Sequence, residues 1–223
     1  MGEQQIMDLN TLFQMITFIV VRGFTLTLVL TMGSFLLGLG LGTLISFLQI
    51  VIGGLIGKAS DIAVRFLRSI PPILILFIIF YGLKVDNVLA AIIGLGLISA
   101  SYQSQIIRGI AETVAVKQFE AAISIGLNRW SAFASIIVPQ TMLLAIPALL
   151  NEFAALLKDS SIAYAIGVKE MFTLAVNLAN ARMEYATPLI AIALVYLGMC
   201  LSVSFSANYI ANRLKYMGYG VAY

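Results

Sequence analysis

The sequence predicts an all-α membrane protein of about five transmembrane helices, with its N-terminus outside and its C-terminus in the cytoplasm. Three observations carry this. Of 223 residues, 61% are hydrophobic and only 10% are charged, against about 25% charged in a soluble domain. The mean hydropathy is +1.03, so the apolar surface has to meet lipid rather than water. The apolar residues also fall into runs of about 20, the length of helix that crosses a hydrocarbon core of about 30 Å. One transmembrane domain, 1–223, accounts for the whole chain.

The runs are read in order as 25–51, 60–83, 88–110, 139–157 and 187–210. A weaker stretch, 12–21, is too short to span and is expected to be an interfacial lead-in. The first span carries Gly33, Gly38, Gly40 and Gly42, and the Gly38/Gly42 spacing suits a close approach of two helices. The second contains RSIPPILILF, where Pro71 and Pro72 remove two backbone donors and must kink or break the helix. In a membrane such a break persists only beside protein or a water-filled path. Between the fourth and fifth spans, residues 168–180 are expected to form a short helix at the outer surface.

Orientation follows from the 13 Lys and Arg residues. Alternate polar segments hold Lys58, Arg65, Arg68, Arg108, Lys117, Arg129, Arg213 and Lys215 on one side. Arg22, Lys84, Lys158, Lys169 and Arg182 fall on the other. The richer side goes to the cytoplasm. The first residues hold acidic Glu3 and Asp8 before any base, unlike a cleaved signal peptide.

Several functions are set aside by composition. Histidine is absent and Cys200 is the only cysteine, so neither a metal cluster nor a disulfide framework can be assembled within the chain. The glycines of GLGLG precede no Lys-Ser/Thr, so there is no phosphate-binding loop and no site for ATP. The pI near 9.0 reflects membrane orientation rather than nucleic-acid binding. No enzyme activity is expected.

One polar interruption stands out: EAAISIGLNRWSAFASIIVPQ, residues 120–140. Gly126 suits a helix C-terminus, Asn128 can cap a following helix that begins at Arg129, and Pro139 suits the first turn of the next span. A short helix, a sharp turn and a second helix are expected on the cytoplasmic face. Glu120, Ala121 and Ala122, then Gly126, Ile136 and Pro139, reproduce the pattern EAA–x3–G–x9–I–x–L–P, with Val138 in place of leucine. The stretch resembles the coupling loop of ABC-importer permeases. NEFAALLKDSSIAYAIGVKEM (151–171), RSIPPIL (68–74) and YQSQIIRGI (102–110) are similar to motifs of the polar amino acid uptake group, the histidine/arginine/lysine/glutamine type. The resemblance covers about residues 23–214. Gln105 departs from it where glutamate is common, and Lys117 departs where glycine is common.

The resemblance implies a type I importer permease fold in the cell inner (cytoplasmic) membrane, with residues 117–140 as the coupling loop. Glu120, Ala121, Ala122, Gly126, Arg129 and Pro139 would meet the partner ATPase. It implies two ATPase subunits that bind ATP and Mg, and a second permease, either another copy or a related chain. An extracytoplasmic amino-acid-binding protein would deliver the cargo. No cofactor belongs to this chain.

Glu152 sits about 18 Å into its helix at 1.5 Å per residue, where a carboxylate must face a cavity or a partner. It can receive a substrate ammonium or basic side chain, or pair structurally with Arg65 or Arg68. Asp159 lies two turns further on the same face, where capping or ion pairing competes with substrate contact. Asn151, Ser69, Tyr102 and Gln105 complete the candidate substrate-binding residues. A self-sufficient secondary transporter or channel is the alternative. It would call for paired broken helices in two repeats and gives no reason for the EAA loop.

Overall fold

The computed structural model describes residues 9–217, apart from the side chains of residues 9 and 115–117. Glu3, Asp8 and the Lys117 side chain therefore lie outside the described residues. Within them the chain is helical, in the order α1 (Leu9–Phe47), a π-helical turn (Leu48–Ile52), α2 (Gly54–Ser69), α3 (Pro72–Leu83), α4 (Asn87–Ser124), α5 (Arg129–Ala132), a second π-helical turn (Phe133–Ile137), α6 (Val138–Asp159), a 3-10 segment (Ser160–Ile166), α7 (Met171–Arg182) and α8 (Ala186–Tyr216).

Four continuous helical stretches are long and apolar enough to cross a membrane: Asn10–Ile52, Asn87–Val114, Arg129–Ile166 and Ala186–Tyr216. The second expected span, 60–83, is not one rod. Its two parts, α2 and α3, meet at 99°. Pro71 and Pro72 end the ladder, and Ile70 and Pro71 adopt extended backbone at ψ 129° and 132°, as expected of residues that precede proline.

Residues 12–21 also differ from expectation. They do not lie at the interface but continue α1 as one 39-residue helix, about 58 Å long. Met15 and Ile19 are buried against Met171, Ala175, Ala191 and Ile192. The α7–α8 layer, distant in sequence, covers a segment too short to span by itself.

The centre of the fold is the contact between α1 and α4. On α1, Thr27, Thr31, Ser34 and Ser46 are fully buried, and Gly38 and Gly42 continue the same stripe. A Cβ on Gly38 would lie 2.7 Å from Gln103 Nε2, and one on Gly42 would lie 3.0 Å from the Ser104 amide nitrogen. The backbones approach this closely only because both positions lack a side chain. Across the seam, Ser46 Oγ donates to the Ser104 carbonyl at 2.9 Å and Ser34 Oγ to that of Ile92 at 3.3 Å.

The expected outer helix over 168–180 is α7, shifted to Met171–Arg182. It is more integrated than a surface helix. Glu170, fully buried, caps it by accepting from the Phe172 and Thr173 amides at 2.8 and 2.7 Å, and it also accepts from Tyr196 Oη at 2.7 Å. An acid immediately before an apolar run is a legible N-cap signal. Its burial beneath α8 is not legible from the sequence.

Candidate functional site

Glu152 lies on α6 within the spanning stretch. Its Oε1 accepts from Ser99 Oγ on α4 at 2.8 Å. Ser99 Oγ in turn accepts from Gln103 Nε2 at 2.9 Å, and that amide also donates to the Phe35 carbonyl on α1 at 3.1 Å. A hydrogen-bond chain thus ties α1, α4 and α6 together at one depth and ends on a carboxylate. Gln103 and Ser99 are fully buried, whereas Glu152 is only partly buried. Ser99 and Gln103 were not foreseen from sequence, although polar residues at i and i+4 in an apolar helix are a usable signal.

Neither alternative partner named for Glu152 forms an ion pair with it. Arg65 Nε contacts Asp61 at 2.9 Å, and the Arg68 guanidinium sits 4.4 Å from the centroid of the Tyr102 ring. Among the described residues no ion pair reaches Glu152.

The other candidates do not share the hydrogen bonds of Glu152. Asn151 and Tyr102 are exposed within spanning helices. Ser69 lies at the α2–α3 break, with its hydroxyl donating to the Arg65 carbonyl at 2.9 Å. Asp159 closes α6, about 10 Å from Glu152 by helical rise. Gln105 does not join the Glu152 network; it faces Arg65, Arg108 and Glu112.

The coupling loop has the expected turn but a different first half. Residues 120–122 are not a separate short helix; they are the last turn of the 38-residue α4. Gly126, at φ +91°, ends it. The Gly126 amide donates to the Ile123 carbonyl at 3.0 Å and the Leu127 amide to that of Ala122 at 3.1 Å, a paired closure that requires the left-handed residue at Gly126. Asn128 then caps α5, its Oδ1 accepting from the Ser131 amide at 2.8 Å.

Pro139 stands in the first turn of α6, as expected. The helical path already runs from Arg129 through the π turn at Phe133–Ile137. The wider turn accommodates a residue that has no amide proton and crowds the carbonyl four positions back.

The loop is fastened to α1. Phe47 packs edge-on against Trp130 with centroids 4.6 Å apart, and its ring lies 5.3 Å from that of Phe133. Arg129 reaches the Val51 carbonyl at 3.4 Å. Gln118 and Gln140 exchange hydrogen bonds of 2.8 and 2.6 Å between α4 and α6. Beyond these ties, Glu120 and Ala121 are exposed, as are Ile125 and Trp130, at 79% and 58%. The result is a rigid knob with an uncovered apolar tip.

A bundle of spanning helices with a broken second span and a projecting, capped helix–turn–helix defines a transport permease. Residues 34–216 match the family described as binding-protein-dependent transport system inner membrane component, and the chain belongs to that family. Within it, the relatives are amino-acid permeases. The chain is 33% identical over 186 residues to the probable amino-acid ABC transporter permease protein YckA of Bacillus subtilis, covering 81% of this chain and 82% of that one. It is 37% identical over 147 residues to the probable amino-acid permease protein YxeN of the same organism, covering 62% and 66%. It is 29% identical to the arginine transport system permease protein ArtQ of Bacillus subtilis, covering 94% and 98%.

A crystal structure of an amino acid ABC transporter with histidines superposes with TM-score 0.81 at 27% identity, covering 94% of this chain and all of that one. The inward-facing methionine transporter MetNI shares the fold, with TM-score 0.77 at 18% identity over 87% of this chain and 95% of that one. The protein is thus a multi-pass membrane permease of an amino-acid ABC transporter family.

Proposed function

We propose that this chain forms the translocation path of an ATP-driven importer for polar amino acids, basic ones among them, in the cell inner membrane. Two permeases, identical or related, assemble with two ATPase subunits. An extracytoplasmic binding protein delivers the substrate. The ATPases bind ATP and Mg and grip the knob through Glu120, Ala121, Ala122, Gly126, Arg129 and Pro139. Their motion reaches the spanning helices through α4 and α6, which enter and leave the knob without a break.

The observation that carries this reading is Glu152. It is a carboxylate at membrane depth, oriented by Ser99, with no cation paired to it among the described residues. A charge placed there is costly unless it serves a cavity or a cargo. A substrate ammonium or basic side chain supplies the missing counter-ion. Asn151, its neighbour in sequence, and Tyr102, one turn beyond Ser99 on α4, are exposed and offer polar contacts. The helix ends freed at Pro71 and Pro72, near Ser69, offer donors to a substrate carboxylate. Asp159 marks the outer approach and Gln105 the inner one. Related permeases are named for arginine, L-cystine and glutamine, so the group as a whole handles polar amino acids.

The test is Glu152→Gln in the assembled complex in proteoliposomes. Uptake is expected to fall about tenfold or more, the loss of one charge-assisted contact, while ATPase association is retained. Undiminished uptake of the transported amino acid would make Glu152 a structural acid.

A further inference from the structure

The polar residues of α4 do not stop at Ser99. Toward the knob come Tyr102, Gln105, Arg108 and Glu112, a row that winds from the Glu152 side of the helix to the side facing α2. The opposing face of α2 carries Lys58, Asp61, Arg65 and Arg68, and the two helices run antiparallel here. Arg68 covers Tyr102. Asp61 accepts from Arg108 at 3.2 Å and from Arg65 at 2.9 Å. Arg108 Nε also reaches Glu112 at 2.8 Å.

Two cavities flank the Asp61–Arg108 pair. One, of about 180 Å³, is lined by Gln49, Gly53, Gly54, Gly57 and Lys58 together with the pair itself. The other, of about 220 Å³, is lined by Arg65, Gln105, Arg108, Gly109 and Glu112. Each has an amide in its wall whose buried atoms lack a hydrogen-bond partner: both Nε2 and Oε1 of Gln49, and Nε2 of Gln105. Buried amides left unpaired are disfavoured. Long, flexible side chains of this kind can turn toward a polar molecule in the adjoining cavity. Between them the walls present Lys58, Arg65 and Arg108 against Asp61 and Glu112.

We propose that this ladder is a second, inner amino-acid site, a station for the zwitterion after it leaves Glu152 and before it reaches the cytoplasm. Arg108 lies nine residues beyond Ser99 on α4, about 13.5 Å by helical rise, so the two sites are separate. The substrate carboxylate bridges Arg65 and Arg108, and its ammonium meets Asp61 or Glu112. A zwitterion inserted between paired charges leaves the local charge balance unchanged. It also supplies the partner that Gln105 Nε2 lacks in the same cavity. Its carboxylate and ammonium meet wall charges of both signs at once, which a simple ion cannot do.

This inference rests on the amino-acid reading of the Glu152 site, and one experiment separates the two. Radiolabelled L-arginine, L-glutamine and L-cystine are titrated in turn onto the purified permease–ATPase complex by equilibrium dialysis. The probe that binds is expected to show a tight and a weak class of sites. Glu152→Gln should weaken the tight class about tenfold and leave the weak one. Arg65→Gln and Arg108→Gln should do the reverse. Arg65 is 75% exposed, so its substitution keeps the test valid if Arg108→Gln does not assemble. A single class, abolished by Glu152→Gln and indifferent to Arg65→Gln, would overturn the inner site and leave the Glu152 reading standing. Binding of none of the three probes to the unmutated complex would overturn the amino-acid reading together with the inner site.

Discussion

Replacing Gly38 with alanine tests the seam and the Glu152 network together. The added Cβ would lie 2.7 Å from Gln103 Nε2 and 3.0 Å from the Ser99 Cβ and Oγ. Gln103 cannot swing into open space, because it is fully buried. It must yield at least one of its hydrogen bonds to the Phe35 carbonyl and Ser99, which costs about 1 kcal/mol. Crowding a close-packed seam adds about 1–3 kcal/mol, and the better helix propensity of alanine returns about 1 kcal/mol. The net loss is about 1–3 kcal/mol.

Gly40, two residues away on the same helix, is the matched control, with nothing within 4 Å of an added Cβ. Gly40→Ala should therefore be neutral or stabilising by up to about 1 kcal/mol. Thermal unfolding of the purified complex, followed by size exclusion after heating, reads the difference. Gly38→Ala should lower the midpoint and also reduce uptake, because Ser99 orients Glu152. Equal midpoints for the two variants would refute the close-approach reasoning.

Three further outcomes are expected. Gly126→Val places a β-branched residue at φ +91°, a strain of about 1–3 kcal/mol; the protein should still insert, but ATPase pull-down should fall about fivefold or more, and unchanged pull-down would separate the turn from coupling. Trp130→Ala removes the edge-on contact with Phe47, worth about 0.5–1.5 kcal/mol beyond its buried area; amino acid carried per ATP hydrolysed should drop more than ATPase binding does, and a constant ratio would show that the link to α1 carries no coupling. Glu170→Ala strands the Phe172 and Thr173 amides and the Tyr196 hydroxyl in a buried site, at about 1–3 kcal/mol for each group left unsatisfied; the yield of folded permease should collapse, and a normal melting profile would contradict the role of the cap.

Local chemistry made much of this protein legible. Apolar run length located four of the spans, because the hydrocarbon thickness acts on each helix separately. The proline pair announced the break, and Gly126 and Asn128 announced the turn, because backbone dihedrals and caps are set by a residue and its neighbours. The EAA spacing located the knob for the same reason.

What depended on distant residues was not legible. Residues 12–21 looked too short to matter until α7 and α8 were found covering them. The 99° angle at Pro71–Pro72 follows from α2 packing its charged face on α4, a pairing that no local signal specifies. Residues 120–122 belong to α4 because the third span continues past the membrane with no breaker to stop it. Glu152 was visible as a stray acid, yet its orientation by Ser99 and Gln103 joins residues 53 and 68 positions apart. Sequence by itself determined which segments enter the membrane and where the chain must turn, since solvation and dihedral preferences act locally. Tertiary structure alone decided which polar groups meet inside the bundle, since hydrogen bonds and ion pairs at that depth form only where separate helices bring their partners within about 3 Å.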